Sequence, residues 1–391
     1  RALRHGHKLG QDKPFFSALV GALVEQMGEA YPELVREQAR IEKALLAEEE
    51  QFGRTLAAGM KVLEAAIGEL DGKELPGQVL FTLYDTHGFP PDLTADVARE
   101  RDLTVDMDGF EKAMEAQRER ARGAGSFAND YSDRLNIEAV TAFSGYEKLA
   151  DDDAIVGLFK DGEAVDALQA GEEGMVVLAS TPFYAESGGQ VGDSGFLVQG
   201  DNRFAVSDTK KRQAAHVHLG KVESGSLKVG DKVSAYVDVE RRRAIMRNHS
   251  ATHLMHAALR DVLGEHVQQK GSLVAADRLR FDFSHPKPLG DDDIAAIEVE
   301  VNEEIRANEQ VSTRLMTPDD AVAAGALALF GEKYGDEVRV LSMGRKPDGS
   351  RNFSVELCGG THVEATGDIG LFHIVSESAV SSGVRRIEAL T

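Results

Sequence analysis

Asn248-His249-Ser250-Ala251-Thr252-His253, together with the distant Cys358-Gly359-Gly360-Thr361-His362, decides how this chain is read. On a helix of about 3.6 residues per turn, His249 and His253 fall one turn apart on one face. Cys358 and His362 repeat that spacing, but the two glycines between them favour a tight turn over a helix. Two His plus a Cys and a His suit Zn²⁺, whose preferred donors are thiolate sulfur and imidazole nitrogen. Plainer uses exist for each half. A His pair one turn apart also packs in cores, and a lone Cys serves as a small buried hydrophobe. The chain's only Cys stands four residues before a His in a Gly-Gly turn, and that coincidence favours the metal. His256 could reach the same helix face and is read as a supporting or core residue. Ser250 stands where a metalloprotease helix carries its general-base Glu, so peptide hydrolysis by that route is not expected.

Composition sets wide bounds. The chain has 391 residues, 42% hydrophobic and 28% charged, which fits an ordinary globular protein with two or three domains. No apolar run approaches the roughly 20 residues of a membrane span. A single Cys excludes an intrachain disulfide and fits a reducing cytoplasm. The start at Arg1 and the end at Thr391 suggest a piece of something longer. A net charge of −22 argues against non-specific nucleic-acid affinity, although local basic clusters remain. They are Arg1/Arg4/Lys8, Lys210–Arg212, Arg241–Arg243 with Arg247, and Arg385-Arg386.

The N-terminal third reads as helical. An apolar face of Phe15, Phe16, Leu19, Val20 and Leu23 follows Pro14. Pro32 opens a long helix to about residue 70, with the stripe Ile41, Leu45, Phe52, Leu56, Met60, Leu63 and Ile67. Gly53 and Gly59 weaken it by up to ~1 kcal/mol each. A turn at Gly88 to Pro91 leads into a helix with Thr94 as a possible cap, and another helix spans 107–122. After about residue 135, short β-branched and aromatic runs (154–159, 175–180, 196–198, 204–206, 233–239) alternate with Gly and Asp turns, the spacing of a small barrel or sandwich. Gly188-Gly189 allows positive φ and close backbone approach, or simply a tight hairpin. From Val239 a helix carries the first half-motif to Gly264. Strands are expected at 269–274, 279–283 and 369–375, and a helix at 292–308. Mixed order without βαβ repetition argues α+β with a mostly antiparallel sheet.

Residues 248–274, NHSATHLMHAALRDVLGEHVQQKGSLV, and 357–363, LCGGTHV, resemble the editing domain of bacterial alanyl-tRNA synthetases. Related motif pairs occur in threonyl-tRNA synthetase editing domains and in free-standing alanyl-tRNA editing proteins. YAESGGQVGD (184–193) is similar to the glycine-rich motif of those editing proteins. LYDTHGFPPDLTADVARERDL (83–103) resembles the region after the synthetase's aminoacylation core, with His87 where Tyr is usual. The resemblance spans essentially the whole chain.

It implies a multi-domain α and α+β chain with three parts. These are a helical tRNA-recognition and linking region (1–135), a β-barrel subdomain with the glycine-rich motif (136–238), and an α+β editing domain with a zinc site (239–391). It implies one Zn²⁺ held by His249, His253, Cys358 and His362, with ATP and Mg²⁺ used only by the full-length parent. It implies hydrolysis of the ester in seryl- and glycyl-tRNA specific for alanine, with the mischarged tRNA 3′ end as substrate. Thr252 and Gln269 would line the catalytic pocket. Gly188, Gly189 and Gln190 would lie beside it, and Arg247 and Arg385 are candidate tRNA contacts. Three other readings stand beside this one. They are a zinc-stabilised tRNA-binding module without catalysis, a free-standing editing hydrolase, and a general zinc hydrolase needing an acidic base that is missing beside His249 and His253.

Overall fold

A computed structural model describes residues 3, 6, 9, 11, 13–70, 72–124, 137, 139–327, 335–346, 349, 352–381 and 383–391, with the backbone alone at 119–124. The Arg1/Arg4/Lys8 cluster and the expected boundary at 135/136 lie outside these residues. The chain forms two compact units, Arg1–Asn129 and Asp130–Thr391.

The first unit is helical: α1 (Leu19–Met27), α2 (Pro32–Arg36), α3 (Gln38–Gly68), α4 (Gly77–His87), α5 (Pro91–Arg99) and α6 (Met107–Ala124). Its core gathers Leu56, Leu63, Leu75, Leu80, Leu83, Phe89, Val97 and Phe110. The long helix expected from Pro32 is interrupted at Glu37, whose ψ of 6° leaves the helical region. The expected face of α1 is mostly open, since Val20 is buried while Leu19 and Leu23 are exposed. Phe15 and Phe16 precede α1, and their backbone N–H groups donate to the buried Glu49 carboxylate at 2.9 Å each. Gly59 has a packing reason. A Cβ there would stand 2.2 Å from the Phe89 ring, so the helix accepts a poor helix former to admit Phe89. Thr94 does not cap α5; Pro90 does, and Thr94 is buried in the first turn.

The second unit begins with a closed barrel of six antiparallel strands. These are β1 (Ala150–Lys160), β2 (Glu173–Leu178), β3 (Gly195–Gln199), β4 (Asn202–Arg212), β5 (Ala215–Ser224) and β6 (Lys232–Val237). They pair in the order β1-β2-β5-β4-β3-β6, and β6 returns to β1. Alternate residues such as Val233, Ala235 and Val237 point into the barrel core, as a period of two requires. Strand β5 has no counterpart among the runs picked from the sequence, because His216, His218 and Gly220 interrupt its apolar pattern.

Asp238 then caps α7 (Val239–Leu263), its side chain accepting from Arg241 N. Every residue from Asn248 to Leu259 is buried, the mark of a helix enclosed on all sides. Against α7 pack an antiparallel sheet, a helix and a smaller sheet. The first sheet has β7 (Gln269–Val274), β8 (Leu279–Ser284), β12 (His373–Ser381) and β13 (Val384–Leu390), in the order β7-β8-β13-β12. The helix is α8 (Asp291–Ala307). The smaller sheet has β9 (Ser312–Met316), β10 (Val338–Met343) and β11 (Ser354–Leu357). The strand expected at 369–375 is displaced: Thr366–Ile369 forms a 3₁₀ turn closed by Gly370, and pairing starts at His373. The whole is α+β. No helix among the described residues is long and apolar enough to cross a membrane.

Candidate metal centre and its pocket

The N-terminal end of α7 is anchored in the barrel. Arg242 Nε donates to Asp193 Oδ1 and Oδ2 at 3.0 and 2.9 Å, and Nη2 also binds that carboxylate. Its remaining donors meet Gly145 O at 2.9 Å and Pro182 O at 2.8 Å. Both partners are 1% exposed, so the pair holds only because every atom is satisfied. This fixed start sets where the next two turns of the helix carry their imidazoles.

The structure brings His249, His253, Cys358 and His362 together, with one donor atom of each within 4.8 Å of the others. Cys358 Sγ lies 3.5 Å from His249 Nε2 and 3.2 Å from His362 Nε2. Tetrahedral Zn²⁺ with bonds of about 2.3 Å to sulfur and 2.0–2.1 Å to nitrogen would separate them by about 3.5 Å.

Each imidazole is held by its other nitrogen. His249 Nδ1 is 2.7 Å from Gln190 Oε1, His253 Nδ1 is 2.7 Å from Glu356 Oε2, and His362 Nδ1 is 3.2 Å from Ser250 Oγ. Such partners fix ring orientation and tautomer around metals. Among the described residues His253 Nε2 is buried with no hydrogen-bond partner, an orphan that a cation would satisfy. The donors fit a metal.

Charge points the same way. Burial pushes the Cys358 thiol up, but His249, His362 and His253 outweigh it and bring it well below its usual range. Burial and His249 push His362 down to about 3. Thiolate and neutral imidazole are the forms that bind metal. Burial pulls His253 down, yet the Glu356 carboxylate and Cys358 raise it to about 10.

The glycines act by proximity. Gly359 and Gly360 have no positive φ, but a Cβ on Gly360 would stand 2.1 Å from His249 Cε1. In Tyr184–Asp193, Gly188 and Gly189 do take φ of +59° and +88°, the pattern of a two-residue hairpin turn. That turn docks on β7, where Val274 N donates to Gly189 O at 2.7 Å. Gln190, fully buried, donates to Thr361 Oγ1 at 2.9 Å and accepts from Thr361 N at 3.0 Å. One side chain thus ties the glycine-rich turn to both halves of the cluster.

A cavity of about 510 Å³ opens beside the cluster, lined in part by His249, His253, Cys358, Thr252, Gln269 and Gly188. Gly189 and Gln190 stand behind this wall. Thr252 Oγ1 donates to Asn248 O at 2.8 Å, so toward the cavity it offers only acceptor lone pairs. Arg247 and Arg385 do not line the cavity, and Arg385 is engaged by Glu377. Sequence reasoning missed Glu356, which also binds His256 Nδ1 at 2.9 Å. Its place two residues before Cys358 was the only available signal. The missing acidic neighbour of α7 comes instead from β11.

Two family models match the chain. The class II (A) tRNA synthetase model covers residues 1–241, and the second additional domain of threonyl and alanyl tRNA synthetases covers 338–388. The chain belongs to the class II tRNA synthetases. Within that class it falls in the alanyl-tRNA synthetase family. Relatives include alanine–tRNA ligases of Saccharophagus degradans (59% identical), Pseudomonas syringae pv. tomato (57%) and Pseudomonas entomophila (56%), each matched over all of this chain. The chain spans 44% of the length of each relative. His249 and His253 lie outside both matched segments.

Proposed function

We propose that this chain is the post-transfer editing part of an alanyl-tRNA synthetase, hydrolysing the ester of serine, and of glycine, wrongly attached to tRNA for alanine. The carrying observation is a four-donor cluster, three of whose members (His249, His253 and Cys358) line a cavity that also presents Thr252 and Gln269. The ion is Zn²⁺, held by His249, His253, Cys358 and His362. When bound, Zn²⁺ supplies Lewis acidity to the ester carbonyl or to a water.

The remaining steps belong to the chain. One small group in a pocket is worth only ~1–3 kcal/mol of discrimination, too little for translation. Serine is larger than alanine, so size cannot admit serine and bar alanine. A site must reward the hydroxyl, and buried polar groups awaiting one discriminate by ~10⁴–10⁵. Thr252 Oγ1, its own proton committed to Asn248 O, accepts from a serine hydroxyl. Gln269 supplies an amide on the same cavity wall. The glycine activity rests on the resemblance alone. In this reading 239–391 forms the editing domain, 136–238 the barrel subdomain, and 1–135 the tRNA-recognition and linking region.

Four available ligands favour one competitor. If all bind, the ion is coordinatively closed and structural, and the chain is a binding module. Deacylation separates the two readings. The full chain is expected to release serine from seryl-tRNA for alanine and to leave alanyl-tRNA intact, with Cys358→Ala inactive. A folded, metal-loaded chain that hydrolyses neither would overturn the editing reading. Equal loss of both amino acids would overturn the hydroxyl-reading argument.

A further inference from the structure

Two cations in the cavity wall make no ion pair among the described residues. Arg339, on β10, lines the cavity beside Cys358 and Gly359. Its guanidinium carbon lies 3.5 Å from the centroid of the Tyr146 ring. Tyr146 Oη donates to Gly359 O at 2.7 Å, and Cys358 N donates to Arg339 O at 3.0 Å. The arginine is thus built onto the turn that presents the thiolate. Among the described residues Arg339 makes no ion pair, and its buried Nε has no hydrogen-bond partner. Glu337 lies on the same rim without pairing to it. Lys211, on β4, also lines the cavity and is exposed without an ion pair among the described residues. In a chain with 66 acidic and 44 basic residues, two unpaired cations facing one cavity call for an anion.

We propose that Arg339, assisted by Lys211, binds the 5′-phosphate group of the nucleotide that carries the scissile ester. The proposal rests on the editing reading and names a contact that sets affinity for the nucleotide. An ester on the ribose and the phosphate of the same nucleotide are two ends of one nucleoside. A pocket holding the ester beside the cluster must therefore accommodate the phosphate as well. The cavity has the size of a site for a whole small ligand rather than for an amino acid alone. A guanidinium presents parallel N–H donors that match phosphate oxygens. Stacking on Tyr146 fixes its plane in advance, which lowers the entropy lost on binding.

The test uses two small esters, 2′(3′)-O-seryl adenosine and the same ester bearing a 5′-phosphate, with the full zinc-loaded chain. The phosphate is expected to raise kcat/KM by roughly 10- to 100-fold, mainly through KM. Arg339→Gln should collapse that ratio toward one, and Lys211→Gln should lower it less. A ratio that Arg339→Gln leaves unchanged, including equal loss on both esters, overturns the proposal and makes Arg339 a prop for the Tyr146–Gly359 contact. Wild-type chain inactive on both esters and on seryl-tRNA would instead fail the editing reading. Titration with adenosine and adenosine 5′-monophosphate then reads the phosphate contact directly. No preference for the phosphorylated ligand in the wild type, or one that survives Arg339→Gln, would overturn it.

Discussion

Histidines are buried in two regions of this unit, and the two regions treat them differently. In the barrel, His218 is fully enclosed, with Nδ1 2.9 Å from Val176 O and Nε2 2.8 Å from Thr181 Oγ1. Both nitrogens have protein partners, and the ring is finished. On α7, His253 is also buried, with Nδ1 on Glu356 and, among the described residues, no hydrogen-bond partner for Nε2. The Arg242–Asp193 pair repeats the closed pattern one end of the helix away from the open one. Burial alone therefore does not mark a functional histidine. An unsatisfied nitrogen alone does not either, since His256 Nε2 is also buried without a partner among the described residues; what sets His253 apart is that its open nitrogen converges with two other imidazoles on a thiolate.

The largest effect that would break this contrast is loss of the proposed metal. Cys358→Ser should reduce bound zinc from about one per chain to a small fraction, measured by elemental analysis after gel filtration. Affinity should fall by more than roughly a thousandfold, a share of the ~10–16 kcal/mol that structural zinc contributes. His218→Gln should leave the stoichiometry unchanged. Stoichiometric zinc in Cys358→Ser would show that the thiolate is no ligand.

Next is the closed pair. Arg242→Met leaves the Asp193 charge buried without its partner, and urea unfolding should show a loss of ~3–5 kcal/mol. Removing both charges with Arg242→Met and Asp193→Leu should recover part of it. A loss below ~1 kcal/mol for the single change would mean that water reaches Asp193, contrary to its 1% exposure.

The closed histidine has a pH signature. Burial pushes His218 down to about 4, against roughly 6.5 when unfolded. Between these values the unfolded chain binds more protons, so stability falls as pH drops from about 6.5 to 4 and is unaffected by this group above that window. The full change is about 3 kcal/mol, readable as weaker hydrogen-exchange protection of β2 and β5 at acid pH. His218→Gln should remove the slope. A slope that persists would assign it to other groups.

How much of this was legible beforehand follows the kind of signal each feature leaves. The helix 239–263 and its terminus at Gly264 were plain, because capping and periodicity are local. The two half-motifs could be joined before any fold was known because residue type alone limits what they do. Strand β5 hid behind its two histidines, and Thr94 looked like a cap because Pro90 does that work without a side-chain acceptor. Glu356 and Gln190 were harder. Their roles arise from contacts across 100 and 59 residues, and nothing in a carboxylate or amide declares which imidazole it will meet. The Gly359-Gly360 pair was read for conformational freedom, whereas Gly360 makes room for His249.

Gln190 gives the finest test of the contrast, since it holds one nitrogen of His249 and leaves the other toward the cluster. Its Oε1 holds Nδ1, leaving Nε2 toward Cys358. Gln190→Leu keeps the volume but frees the ring to rotate and to change tautomer. Loss of such a partner lowers metal affinity by ~10–100-fold, a smaller effect than losing a ligand. Gln190→Glu retains an acceptor for Nδ1–H and should restore most of the affinity, although its bond to Thr361 Oγ1 must reverse, with the hydroxyl now donating. Competition with a chromophoric chelator measures all three proteins. If Leu and Glu weaken zinc equally, the side chain acts by tying the glycine-rich turn to Thr361. If only Leu does, it acts by setting the tautomer of His249, and the difference between the two regions reduces to one hydrogen bond on the far side of each ring.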